Sequence, residues 1–291
     1  MRTVAFLNVK ARKGQARLKT IKKFLEKQND LEIIEVIVVG EDTTFEKGLE
    51  RLAKHKNIDM VILGGGDGTI VAALNALAGK KILYGLLPLG TSNVFVRSIG
   101  LPIQLDKALK VMLQGASTPV SLGEVNGKLF ANSAGSGVPV AVVNNLTNTT
   151  KRFLGPLAYI ASGLREFVFH NAFLCNIKTD KGEKHTFYTH HLLIANGEFH
   201  GLVPVGQGAS VRNDQLTIFA FGTTKNRWDY AKSIIKFGLG KNKVAKTTTV
   251  ISAHSFTLNC DPIKEIEADG EPIGRTPAKI KAIKNAINVR C

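Results

Sequence analysis

The sequence contains no apolar run near the roughly eighteen residues that a membrane-spanning helix needs. Its opening, MRTVAFLNVK, lacks the basic start, apolar stretch and small-residue cleavage site of a secretory signal, so a soluble, cytoplasmic protein is expected. Cysteine is scarce: Cys175, Cys260 and Cys291 show neither metal-ligand spacing nor a disulfide framework, and they read as packing or surface residues. Zinc-finger spacing and the aromatic-and-glycine signature of an RNA-binding sheet are also missing, which argues against nucleic acid as a partner. Acidic residues are few, 23 against 39 Lys and Arg, and the net charge of +16 favours nucleic acid, polyphosphate ligands or anionic lipid headgroups, among which charge alone does not choose. Basic residues cluster at 10–27 and 225–246, where each one near an anionic bilayer could contribute about 1 kcal/mol.

What is present is enough apolar residue, 44% of 291, for a sizeable core in one or two domains. The first 120 residues alternate β-branched apolar runs with helical patterns. Strands are expected at 3–8, 32–39, 59–63 and 82–88, and helices at 16–27, 44–55, 68–78 and 104–114, which makes a doubly wound α/β domain. After Pro119 the chain changes to short strands broken by Gly, Asn and Asp, with hairpin turns at Asn126-Gly127 and Asp180-Lys181-Gly182. An antiparallel β-sandwich domain is expected there, with helices at 157–169 and 226–237. The division is 1–120, 121–277 and a last strand in 278–291, whose return to the first domain is left open.

The strongest chemical signal is Leu63-Gly64-Gly65-Gly66-Asp67-Gly68-Thr69, where an apolar strand ends and a helix begins at the carboxyl edge of a parallel sheet. Glycines let backbone N–H groups approach phosphate oxygens, and the helix N-terminus adds about half a positive charge. No Lys-Ser/Thr follows, so this is not a P-loop, and the spacing is not the Gly-x-Gly-x-x-Gly of dinucleotide folds. Asp67 can hold magnesium, directly or through water, or position a phosphate-bound Thr69. One crossover later, Leu87-Pro88-Leu89-Gly90-Thr91-Ser92-Asn93 brings Gly90, Thr91 and Asn93 to a second sheet edge, where both loops can face one ligand.

Together these motifs resemble the diacylglycerol kinase catalytic family, which includes bacterial lipid kinases and the sphingosine and ceramide kinases. The resemblance runs from Asn8-Val9-Lys10-Ala11-Arg12-Lys13-Gly14 through the Lys151-Arg152-Phe153-Leu154-Gly155-Pro156-Leu157-Ala158-Tyr159 run. It continues through Asn196-Gly197 and Pro204 with Ala209 to Asp269-Gly270-Glu271. It implies a Rossmann-like, NAD kinase-like first domain that binds ATP and Mg2+, with phosphates against Gly64, Gly65, Gly66, Asp67, Gly68 and Thr69. Asn8, Lys10, Lys13, Gly90, Thr91, Asn93 and Asp269 join the cofactor set by the same token. It implies Glu271 as the general base on a lipid hydroxyl, Asp67 as its catalytic companion, and Asp67 and Asp214 as metal ligands. The acceptor would be diacylglycerol, phosphatidylglycerol or a sphingoid base, taken from an anionic membrane surface to which the protein binds peripherally; a homodimer stays open.

The chain departs from the family at several acidic positions, which read Ala72, Val94, Ser121, Asn213 and Thr217 here. Loss of a metal ligand or its outer partner can cost 10- to 100-fold in affinity or activity. Lys10, Arg12, Lys13 and Arg97 could offset the missing metal charge, since phosphoryl transfer leans on position and electrostatics. Two alternatives therefore stand beside a lipid kinase: a catalytically degenerate pseudo-kinase that keeps the cleft, and an NAD kinase, which shares Gly-Gly-Asp-Gly-Thr. His190, His191 and His200 read as packed or exposed rather than as metal ligands, and the stripe Leu157, Ile160, Leu164, Phe167 and Val168 reads as core or as the lip of a lipid-tail cleft.

Overall fold

The computed structural model describes residues 1–9, 14–137, 171–197, 199–200, 203–204, 209–238 and 246–291. They form two compact units, Met1–Leu122 with Lys284–Cys291, and Gly123–Ile283.

In the first unit β1 (Arg2–Asn8), β2 (Glu32–Val39), β3 (Met60–Gly65) and β4 (Leu83–Pro88) lie parallel in the order β2-β1-β3-β4. Helices α1 (Gly14–Leu25), α2 (Phe45–Lys54) and α3 (Asp67–Ala76) make the crossovers, and α4 (Val94–Ser98) and α5 (Leu105–Gln114) follow β4. All six residues of β3 are buried, as a central strand covered on both faces requires. On α1, Leu18, Ile21 and Leu25 recur at helical spacing and join Ala5, Leu7, Val38 and Leu87 in one core cluster. Each such burial is worth about 1.5–3 kcal/mol. Helix α2 starts where the Thr44 hydroxyl accepts the Lys47 N–H, 3.4 Å away. Strand β3 runs two residues beyond the apolar run, because Gly64 pairs with Leu7 and Leu87 and Gly65 with Pro88. Asn288 and Val289, near the end of the chain, lie parallel beside Leu83 and Tyr84 of β4.

Strand β5 (Ser117–Val125) leads into the second unit, followed by β6 (Lys128–Phe130), β7 (Ser133–Gly137), β8 (Phe173–Thr179), β9 (Lys184–Thr189) and β10 (His191–Ala195). Next come β11 (Phe199–His200), β12 (Val203–Pro204), β13 (Leu216–Phe221), α6 (Arg227–Gly238), β14 (Thr248–Ala253), β15 (Ser255–Asp261), β16 (Glu265–Ala268), β17 (Glu271–Arg275) and β18 (Ala278–Arg290). One antiparallel sheet has the order β14-β13-β10-β7-β16-β17. In another layer β9, β8 and β15 pair antiparallel, and the first residues of β18 add to β15. Leu192, Ile194, Leu216 and Ile218 of the first layer share one core cluster with Cys175, Ile177, Phe256, Leu258 and Ile280 of the second, as in a β-sandwich. Asn126 (φ 48°) and Gly127 (φ 89°) make the two-residue turn between β5 and β6. The segment 157–169 expected as a helix, with its apolar stripe, lies outside the described residues.

Candidate functional site

The end of β3 is shaped by close approach. A Cβ on Gly65 would lie 2.6 Å from the Thr69 side chain, and one on Gly90 only 2.5 Å from the Gly66 backbone. The two strand-end loops therefore touch backbone to backbone. The Gly65 carbonyl accepts the N–H groups of Leu89 (3.0 Å) and Gly90 (3.1 Å). Gly68 differs, because a Cβ there would meet nothing within 4 Å, so packing does not demand glycine. It is itself exposed, in the first turn of α3, whose N-cap, Gly66, supplies no side-chain hydrogen bond. A helix start of this kind leaves N–H donors to be satisfied by something other than a capping side chain, and it favours negative charge.

Asn8 ends β1 and donates from Nδ2 to the buried Thr69 hydroxyl, 2.9 Å away. A hydroxyl that accepts retains its own hydrogen to give. The half-buried Asp67 reaches across to the second loop, where its Oδ1 accepts the Phe95 N–H at 2.9 Å, in the first turn of α4. Asn93 holds the left-handed conformation (φ 47°, ψ 48°) just before α4. Its side chain closes on Gly90, accepting that residue's N–H and donating to its carbonyl, both at 3.0 Å. Thr91 stands exposed between them. Sequence reasoning missed Arg17 of α1, which donates to the Pro88 carbonyl at 2.9 Å and sets a guanidinium beside the second loop. A basic residue on a helix carries no signal of such a role. Lys10 and Lys13, named in the cofactor set, lie outside the described residues.

In the second unit, Asp269 (φ 50°) and Gly270 (φ 87°) form the two-residue turn between β16 and β17, with both residues at the positive φ this turn type requires. The Asp269 carboxylate accepts three backbone N–H groups, from Ala131 (2.6 Å), Asn132 (2.9 Å) and Ser133 (3.2 Å). Burial holds this carboxyl above its usual range, and the three donors pull the other way. The carbonyl side of the same segment is held by buried Asn196, whose Nδ2 donates to Ala131 at 2.7 Å and whose N–H donates to Asn132 at 2.9 Å. Glu271 follows the turn, exposed, as the first residue of β17. Two residues before Asp269, Glu267 is half-buried and raised above the carboxylate range by burial, then by the Asp269 charge.

Among the described residues no three His, Cys, Asp or Glu side chains gather as metal ligands. Asp214 is exposed, and its carbonyl meets His254 Nδ1 at 2.8 Å. Three of the positions where the family's acids are replaced, Val94, Ser121 and Thr217, are buried. His190 and His191 are buried too, stacked on Tyr230 and Phe221 at 5.5 and 5.3 Å between ring centres.

Comparison with known proteins accounts for both units. The diacylglycerol kinase catalytic domain matches residues 2–125, and the YegS C-terminal NAD kinase beta sandwich-like domain matches residues 132–291. A relative from Pseudomonas syringae pv. tomato, named "Probable lipid kinase YegS-like", is 44% identical over 117 residues, which cover 40% of this chain and 37% of that protein. The chain thus spans little more than a third of that relative's length. "Diacylglycerol kinase" of Staphylococcus aureus is 28% identical over 245 residues, covering 81% of this chain and 76% of its own length. In fold, a diacylglycerol kinase from Bacillus anthracis aligns with a TM-score of 0.74 at 21% identity, over 99% of this chain and 96% of its own. An NAD kinase from Archaeoglobus fulgidus aligns more distantly, with a TM-score of 0.51 at 12% identity, over 99% of this chain and 92% of its own. With a family domain matched in each unit, the chain belongs to the diacylglycerol kinase catalytic family in its YegS-like form.

Proposed function

We propose that this chain is an ATP-dependent lipid kinase that moves the γ-phosphoryl group of ATP to a lipid hydroxyl. The observation that carries the reading is the start of α3, a glycine-lined turn without a side-chain cap and with open space over Gly68. Such a turn suits a polyphosphate, because N–H donors and the helix dipole act together on one anion. Gly66, Asp67 and Gly68 would present the donors, Thr69 would give its hydroxyl hydrogen, and Asn8 would fix the direction of that hydroxyl.

Glu271 would take the proton of the attacking lipid hydroxyl. Asp269 acts on it only through the turn, by pinning the backbone that ends at Glu271. Magnesium fits here as an ion bound mainly by phosphate and water, with Asp67 as the protein donor, since the described residues offer no carboxylate cluster. Such an ion supplies charge neutralisation to the transferred group. Diacylglycerol, phosphatidylglycerol and a sphingoid base are the acceptor classes proposed, reached by peripheral contact with an anionic bilayer. Support for that contact is the charge of +16 in a chain whose described helices include none long and apolar enough to cross a membrane.

The non-acidic residues Ala72, Val94, Ser121, Asn213 and Thr217 favour one second reading, a nucleotide-binding pseudo-kinase. Labelled ATP with each acceptor lipid, and separately with NAD, distinguishes the two. Label is expected on a lipid, and Glu271→Gln is expected to lower turnover by about 10²- to 10⁴-fold while leaving the melting temperature in place. Label on NAD alone, or equal background from both proteins despite ATP binding, overturns the lipid-kinase assignment.

A further inference from the structure

Cys175 on β8 and Cys260 on β15 are direct cross-strand partners. The ladder fixes what kind of pair they are. Asp180 N–H donates to the Ser255 carbonyl at 2.9 Å, so Ser255 and Asp180 are a hydrogen-bonded pair. Alternation along the antiparallel register then makes Asn259 with Asn176 hydrogen-bonded and Cys260 with Cys175 non-hydrogen-bonded. The other edge of β8 agrees, since Thr179 N–H donates to Glu183 at 3.0 Å, which turns the backbone of Cys175 toward Phe187 on β9. Non-hydrogen-bonded partners bring their Cα atoms to about 4.5 Å, within the span of about 4.4–6.8 Å that a disulfide bridges. Both side chains are buried in the core between the two layers, and each thiol influences the ionisation of the other.

We infer that Cys175 and Cys260 form a reversible peroxide-modified dithiol, which closes into a cross-strand disulfide at the foot of the β16–β17 hairpin. Cys260 stands one residue from the end of β15, and the half-buried Lys264 carries its charge nearby. The contact with Cys175 first, then Thr276 and Lys264, hold the Cys260 thiol below its usual range against burial, whereas Cys175 is pushed up. Position assigns the order of events, since Cys260 is 4% exposed beside the end of its strand whereas Cys175 is fully enclosed. The Cys260 thiolate attacks one oxygen of hydrogen peroxide, the O–O bond breaks, and the departing hydroxide takes a proton to become water, leaving a sulfenic acid on Cys260. The Cys175 sulfur attacks that sulfur, the S–S bond forms as the S–O bond breaks, and hydroxide leaves with the Cys175 proton as a second water. Two thiols are oxidised by two electrons, and one peroxide is reduced to two waters. Thr276 and Lys264 exchange backbone and hydroxyl hydrogen bonds at 2.9 and 3.0 Å, so the staple lies against the base of the hairpin whose tip is Asp269-Gly270-Glu271. The inference is independent of whether the chain turns over ATP.

The test uses the full chain, reduced and then treated with a modest excess of hydrogen peroxide. Expected are a mass loss of about 2 Da, a fall from three free thiols to one, a peptide map joining positions 175 and 260, and full reversal by dithiothreitol. The staple is also expected to raise the melting temperature by about 5 °C. Cys291→Ser should keep the mass change. Oxygen additions on separate cysteines without the 175–260 link, or bridging confined to Cys291 between two chains, would overturn the inference, and the peptide map reads either outcome on unsubstituted protein.

Discussion

Two Asp-Gly turns carry the candidate chemistry, and they are built on opposite plans. Gly66-Asp67-Gly68 turns a buried parallel strand into a helix, and the tight demand for glycine falls on the residues around it, at Gly65 against Thr69 and at Gly90 against the Gly66 backbone. Asp269-Gly270-Glu271 turns one antiparallel strand onto the next, and its demand comes from the backbone itself, at φ 50° and 87°. In both turns an aspartate carboxylate is spent on backbone N–H groups, one from Phe95 for Asp67 and three for Asp269. The difference teaches that these aspartates clasp loops together. Under the proposed function Asp67 would give its other carboxylate oxygen to the metal, while the open α3 start at Gly68 and the exposed carboxylate of Glu271 would face the reactants.

The largest effect that could break this comparison comes from truncating the two clasps. Asp269→Ala leaves three N–H groups without their acceptor, at about 1–3 kcal/mol for each buried donor, and should destabilise the protein by about 3 kcal/mol or more. Asp67→Ala strands a single donor and should cost about 1 kcal/mol. Urea midpoints with unchanged slopes measure both. Equal losses would mean that the clasps are not the source of the difference.

How far the sequence reveals these turns depends on the range of the interaction. The apolar run of β3, the glycines after it and the Asp-Gly pair before Glu271 are local signals, because periodicity and positive-φ preference act over a few residues. The partners of the two carboxylates are not local. Nothing near Asp269 indicates that it reaches Ala131, 138 residues away, and nothing in the five residues of α4 indicates that Asp67 caps it. Arg17 on Pro88 and Cys175 opposite Cys260 belong to the same class, since they follow from register and helix placement that only the folded chain fixes.

A smaller effect sharpens the contrast between the glycines. Gly270→Ala forces a side chain into a left-handed backbone and should cost about 1–2 kcal/mol. Gly68→Ala has open space and helical geometry, so it should stabilise the fold by up to about 1 kcal/mol while weakening ATP binding, because the new methyl group lies over the α3 start. Melting temperature and ATP titration calorimetry read the two consequences separately. A stabilised Gly68→Ala protein with unchanged ATP affinity would remove the phosphate from that turn.

The smallest effect is a pH slope that belongs to the second turn. Asp269 and Glu267 both carry raised carboxyl pKa values in the folded chain, Asp269 through burial and Glu267 through burial and then the Asp269 charge. A folded state that holds protons more tightly than the unfolded one is most stable below the unfolded carboxyl values of about 4, and this contribution fades as pH rises through the raised ones. Asp269→Asn keeps an acceptor oxygen and tolerates the left-handed backbone, yet it removes one titrating group and relieves the other. Its stability should therefore change less than that of the unsubstituted protein on going from acidic to neutral pH, as followed by urea midpoints across that range. An identical slope in both proteins would show that Asp269 is charged and fully satisfied by its three N–H donors, and that the turn is held by hydrogen bonding without any opposing cost of burial.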